Sequence, residues 1–296
     1  MHTTGDTEEL IPLPPDPSPE DWRTYEETGN FIPLFFEWYK FVATLVNVMS
    51  FVQPDSPAFA PISKHSYYAL SGLLHRCARL MLGNVALSHG GKFGETTAII
   101  DRCLCETAVT IMWLCDSETD HRVQRYMGSG LKSEIEFELS IRDNIENRGE
   151  PTPLEARMLA SIERHFQAAN LTREEVKSTK KLPALATMID AVGHRRLDYI
   201  VLQRMGSHHI HGTWPSLLLH YLTKSDIDGF AFQPRGMPSE MHLNQYVHGC
   251  RFVLGAAASF ASCCLLGNSR ESFVDLAEEA LEQILKHFEE AIRRGH

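Results

Sequence analysis

From Pro33 onward, apolar residues recur at spacings of three and four, the period of a helix that buries one face. Pro33 suits a first helical turn, and Phe35, Phe36, Trp38, Tyr39, Phe41, Val42, Leu45 and Val48 make the following helix aromatic and largely buried. A second run, Ser63 to Leu87, puts Tyr67, Leu70, Leu74, Cys77, Leu80 and Met81 on one stripe and breaks at Gly90-Gly91. The third, Phe93 to Cys115, is apolar nearly all round, which predicts a central bundle helix. A polar amphipathic helix follows over 120–147, and Pro151 and Pro153 open another that runs to Ala169. Thr172-Arg-Glu-Glu has the form of a capping box. Shorter helices are predicted over 183–192 and 195–211, a further turn or two at Pro215, and two long helices over about 239–266 and 270–293.

No alternating stretch exceeds Phe230-Ala-Phe232, and no internal repeat is visible. The pattern therefore predicts an all-α multi-helix bundle of seven to nine helices without significant sheet, forming a single helical domain over 31–296. Residues 1–30 contain Ile11-Pro-Leu-Pro-Pro-Asp-Pro-Ser-Pro19 and are expected to form a flexible acidic arm. Residues 223–238, with Gly229, Pro234, Gly236 and Pro238, are the one long irregular stretch inside the body.

Composition refines this picture. The formal charge is −10, and residues 1–28 alone carry −7, which leaves −3 for the rest. A nearly neutral body does not support a broad basic nucleic-acid surface. The seven cysteines include no Cys-x-x-Cys pair and fall in apolar helical patterns, as buried thiols in a reducing cytoplasm would. The acidic, proline-rich start is unlike a signal peptide. The longest apolar run, Phe252 to Leu266, is shorter than the roughly 20 residues a membrane span needs, so a cytoplasmic protein without a membrane partner is expected.

Two groups of residues could carry chemistry. Arg102 and Glu106, four apart on the apolar third helix, share a face, and charges in that setting need partners. They can form a self-satisfied pair, an anchor to a neighbouring helix, or part of a site. The second group is Arg204-Met-Gly-Ser207-His208-His209-Ile-His211-Gly212. At about 100° per residue, Ser207, His208 and His211 lie within roughly 60° of Arg204, whereas His209 lies about 140° away. Arg204, Ser207, His208 and His211 therefore converge on one face. An Arg beside a His is what metal-independent RNA cleavage requires, the Arg to hold the phosphate and the His to move a proton. A His near a helix end also commonly serves as a cap. Metal binding finds little support: there is no His-Glu-x-x-His, and the lone Glu118-x-x-His121 opens a polar helix. Gly-rich phosphate loops and a Gly-x-Ser-x-Gly turn are absent, so no cofactor is expected.

Ile-Ile-Asp-Arg102-x3-Glu106 followed by Trp-Leu, then Tyr126, then Tyr199 leading to Ser207-x3-His211-Gly212, resembles a bacterial family of unknown function over roughly residues 60–215. Arg204-x6-His211 is also similar to the Arg-x(4 to 6)-His motif of HEPN proteins. Many of these are metal-independent endoribonucleases of toxin–antitoxin and phage-defence systems, commonly dimeric with the motif at the shared cleft. That likeness implies catalytic roles for Arg204 and His211, with Ser207 and His208 assisting and Arg102–Glu106 orienting them. It also implies an RNA substrate, a homodimer and an antitoxin or other protein partner. Met205 departs from the polar residue that usually follows the Arg. The alternative from a different class is a non-catalytic helical interaction or ligand-binding protein, with these residues in a buried register-fixing network.

Overall fold

A computed structural model describes residues 12–294 apart from Gly91 and Ser117, and residues 202–206 by their backbone alone. The described helices are α1 (Pro19–Thr28), α2 (Ile32–Met49), α3 (Lys64–Ser88), α4 (Gly94–Leu114), α5 (Thr119–Arg148), α6 (Pro153–Ala169), α7 (Arg173–Ser178), α8 (Leu185–Ala191), α9 (Arg196–Ile210), α10 (Trp214–Ser216), α11 (Leu243–Cys264) and α12 (Gly267–Arg293). A π-helical turn (Leu217–Tyr221) and the antiparallel strands β1 (Leu222–Lys224) and β2 (Phe232–Pro234) lie between α10 and α11. The protein is all-α apart from this small hairpin. The described residues form thirteen helical segments where seven to nine were expected, because α1 and the π-helical turn were not anticipated and the short pieces α7 and α10 stand as separate segments.

Within the stretch 1–30, read from the sequence as a flexible arm, α1 forms over Pro19–Thr28. Ser18 accepts from the Asp21 backbone, and the Asp21 carboxylate accepts from the Ser18 backbone. Pro19 sits in the first turn, where its missing N–H costs nothing. Trp22 packs edge-on to His287 of α12, centroids 5.1 Å apart. Residues 1–11 lie outside the described residues.

Contacts group the chain into two compact units. In the larger unit, α11 packs on α2, α4 and α12, and α4 also packs on α8 and α9. Helix α11 is long and apolar enough to cross a membrane, but most of its apolar stretch is buried among these neighbours. Gly249 lets α11 approach α2, since a Cβ there would lie 2.8 Å from the Tyr39 ring. The α2 aromatics Phe35, Trp38, Tyr39 and Phe41 are buried. Large exposed apolar side chains gather instead near the hairpin, at Trp214, Leu219, Phe230 and Met237.

The smaller unit comprises residues 62–69 and 117–184. Its core of Leu131, Ile141, Ile162, Phe166, Leu171 and Val176 joins α5, α6 and α7. Capping boxes at Thr152 and Thr172 start α6 and α7, and Asn170 ends α6 in a left-handed conformation.

The entry to α4 is unusually constrained. Phe93 has φ 61°, a conformation costly for a bulky residue. A Cβ on Gly94 would meet the Glu240 carbonyl oxygen at 2.1 Å, so only glycine fits. The Gly94 N–H donates to the Ser239 carbonyl at 2.8 Å, which fixes the segment before α11 against the start of α4.

Candidate functional site

Helices α4 and α9 bring together three residues singled out in the sequence. Arg102 Nε donates to Glu106 Oε1 at 2.9 Å, and Arg102 NH1 donates to Ser207 Oγ at 2.5 Å. The Arg102 side chain is 25% exposed and that of Glu106 43%, so the pair is half-open rather than sealed. In such a setting the pair is held with little desolvation cost and is worth correspondingly little. One turn lower on α4, Thr107 Oγ1 accepts from Arg76 Nε of α3 at 3.2 Å.

The other α9 candidates diverge. His211 is exposed at the C-cap, and Gly212 (φ 54°) ends the helix beyond it. His208 shares a 2.7 Å hydrogen bond between its Nδ1 and Thr213 Oγ1, a local contact around the helix end. The Arg204 side chain lies outside the described residues. His194, earlier in the same histidine-rich stretch, stacks on Phe252 with centroids 4.9 Å apart and borders the Arg251–Asp198 pair.

A polar network inside the larger unit was not anticipated. Asp101, next to Arg102, accepts from Asn84 Nδ2 (2.6 Å), Gln245 Nε2 (3.0 Å) and the Tyr39 hydroxyl (3.4 Å). Burial pushes its carboxyl up to about 7, although all three bonds pull the other way. Asn84 is fully buried, and its Oδ1 has no hydrogen-bond partner. The sequence offered one signal, an acid on an apolar helix, but Arg102 and Glu106 were the charges singled out on that helix.

His209, the histidine set aside on angular grounds, enters a second unanticipated cluster. Its Nδ1 lies 3.2 Å from Ser216 Oγ, and its ring meets that of His220 with centroids 4.7 Å apart at 62°. His220 Nδ1 lies 2.9 Å from Ser239 Oγ. The Ser239 backbone N–H donates to Glu95 Oε2 at 3.3 Å, and Arg235 donates to the Ser239 hydroxyl at 3.4 Å. Burial holds both imidazoles below their usual pKa, and each ring feels the nearby Glu95 carboxylate. Among the described residues, no three His, Cys, Asp or Glu side chains converge as a ready metal-holding group.

A family model matches residues 67–230, more than half of the chain, and its family is described as one of unknown function (DUF5677). No curated protein and no solved structure matches the chain.

Proposed function

We propose, for a chain that belongs to DUF5677, a family of unknown function, that the α4–α9 face is the working site of a HEPN-like, metal-independent endoribonuclease. The observation that carries this reading is the Arg102–Ser207 bond, which joins α4 to α9 one turn before the exposed His211. In this reading Arg204 meets the scissile phosphate and His211 takes the proton of the adjacent 2′-hydroxyl. The 2′-oxygen then attacks phosphorus and the P–O5′ bond breaks; the leaving 5′-oxygen takes a proton from water, giving a 2′,3′-cyclic phosphate and a 5′-hydroxyl. Ser207 and His208 assist, and Arg102–Glu106 position Ser207. A homodimer would place two such faces together, and the exposed apolar side chains near the hairpin offer a surface for it.

A second reading is favoured by a specific observation. Two Arg102 donor atoms are already engaged by Glu106 and Ser207. A network satisfied in this way suits a non-catalytic ligand-binding or interaction protein in which it fixes helix register.

The test is induction of the wild-type chain and a His211→Ala variant in a bacterial host, followed by inspection of total RNA. Each purified chain is also incubated with RNA in excess chelator. Growth arrest with RNA breakage in the wild type alone is expected. Intact RNA with the wild type in both assays would overturn the nuclease reading in favour of the second.

A further inference from the structure

His209 and His220 stand in the relation that metal-binding imidazoles have to their supports. His209 and His220 come from different elements, α9 and the π-helical turn. Each ring has its Nδ1 within hydrogen-bond distance of a serine hydroxyl, Ser216 for His209 and Ser239 for His220. A ring whose Nδ1–H donates to a support is locked in the tautomer that leaves an Nε2 lone pair, the usual arrangement of a ligating histidine. Ser239 can accept both this bond and the one from Arg235, because a hydroxyl oxygen has two lone pairs. His220 Nε2 is buried and has no hydrogen-bond partner, a state that native structures seldom leave unexplained.

From these contacts we infer that His209 and His220 form a binding site for a divalent transition-metal ion of the imidazole-preferring kind, with zinc as the reference case. The ring geometry admits it. An ion bound at about 2.1 Å from an imidazole nitrogen sits roughly 3.2 Å from the ring centroid. With both Nε2 atoms turned to one ion, centroids 4.7 Å apart correspond to an angle of roughly 95° at the metal, a normal value for neighbouring ligands. The Glu95 carboxylate, which accepts from the Ser239 backbone N–H at 3.3 Å, places a negative charge beside the Ser239 support of His220. Two protein nitrogens leave the remaining positions to water or to an oxygen donor from outside. The surroundings are also held in place. Glycine alone fits at position 94, and its N–H grips the Ser239 carbonyl while the next residue, Glu95, takes the Ser239 N–H.

This site is independent of the nuclease reading, whose cleavage is expected to survive a chelator. The test uses the untagged full-length chain, stripped with chelator and titrated with Zn2+ by calorimetry, with bound metal counted by mass spectrometry. One equivalent is expected in the wild type and in the surface control His121→Ala, and none in His209→Ala or His220→Ala. Ser239→Ala keeps both ligands but loses a support, and weakens binding about 10- to 100-fold. Cu2+ bound to the wild type should show electron-spin coupling to two imidazole nitrogens, a readout that does not depend on how a variant folds. No retained ion in the wild type, coupling to fewer than two nitrogens, or an unchanged equivalent in folded His220→Ala would overturn the assignment and leave the ring pair as an aromatic contact.

Discussion

Asp101 and Arg102 are neighbours on one helix and live in different solvents. Asp101 faces inward, where Tyr39 of α2, Asn84 of α3 and Gln245 of α11 surround it and burial lifts its carboxyl to about 7. Arg102 faces α9 and water, and its pair with Glu106 is half-open. The inner group is held by three donors and still disfavours its charge, whereas the outer group keeps its charge at little cost. Polarity on an apolar helix therefore has two physical meanings, set by about 100° of rotation between adjacent residues. Inside, each polar atom matters to stability because none can turn to water. Outside, the same kind of contact mainly sets where neighbouring side chains stand.

The sharpest break in this contrast is expected from Gln245→Leu. It removes the amide nitrogen shared by Asp101, Thr97 and the Gly94 carbonyl, and should cost about 2–3 kcal/mol in urea unfolding at pH 8. A loss below about 0.5 kcal/mol would mean that this interior is wetter than its contacts indicate. A smaller effect with a definite sign comes from Asp101→Asn. Its folded carboxyl, at about 7, lies above the ordinary 3.8, so the folded chain holds a proton that the unfolded chain has released. That contribution is complete below the unfolded value and is lost as pH rises from about 4 through about 7. The facing groups from other helices, Tyr39, Asn84, Gln245 and Cys250, carry no charge in this range, so they leave the sign unchanged. Stability of the wild type relative to Asp101→Asn should therefore fall over that interval, and a flat difference would contradict the buried assignment. The smallest effect is expected outside: Glu106→Gln should change stability by less than about 0.5 kcal/mol, and the difference should shrink in about 1 M salt.

Most of the helical body was legible because its stops and starts are local chemistry. Thr152 with Glu155, Thr172 with Glu175, Pro153 and the Gly90 break each act within four residues, and α3 through α7 begin and end close to where those signals fall. Helix α1 carries the same signal in Ser18 and Asp21, but four prolines upstream of Ser18 drew the reading toward an extended arm. The site divides in the same way. Arg102, Glu106 and Ser207 were found because helical spacing and an apolar background mark them, and the first two touch within one helix. Asp101 depends on Gln245, 144 residues away, and His209 on His220 across a π turn that no period announces. Angular reasoning separated His209 from Ser207 but carried no information about what waits on the opposite side.

The π turn has a further consequence, in terms of phase. Leu217–Tyr221 closes with the Leu222 N–H on the Leu217 carbonyl, five residues back, so it holds about one residue more than an α turn would in the same axial length. That residue works as a rotational spacer: it turns the chain by roughly 100° without moving it along, and aims His220 toward His209 while β1 leaves in a different direction. A chain one residue shorter here could keep every helix and the hairpin and still lose the pairing. For this corner of the fold, length is as much a part of the code as residue identity.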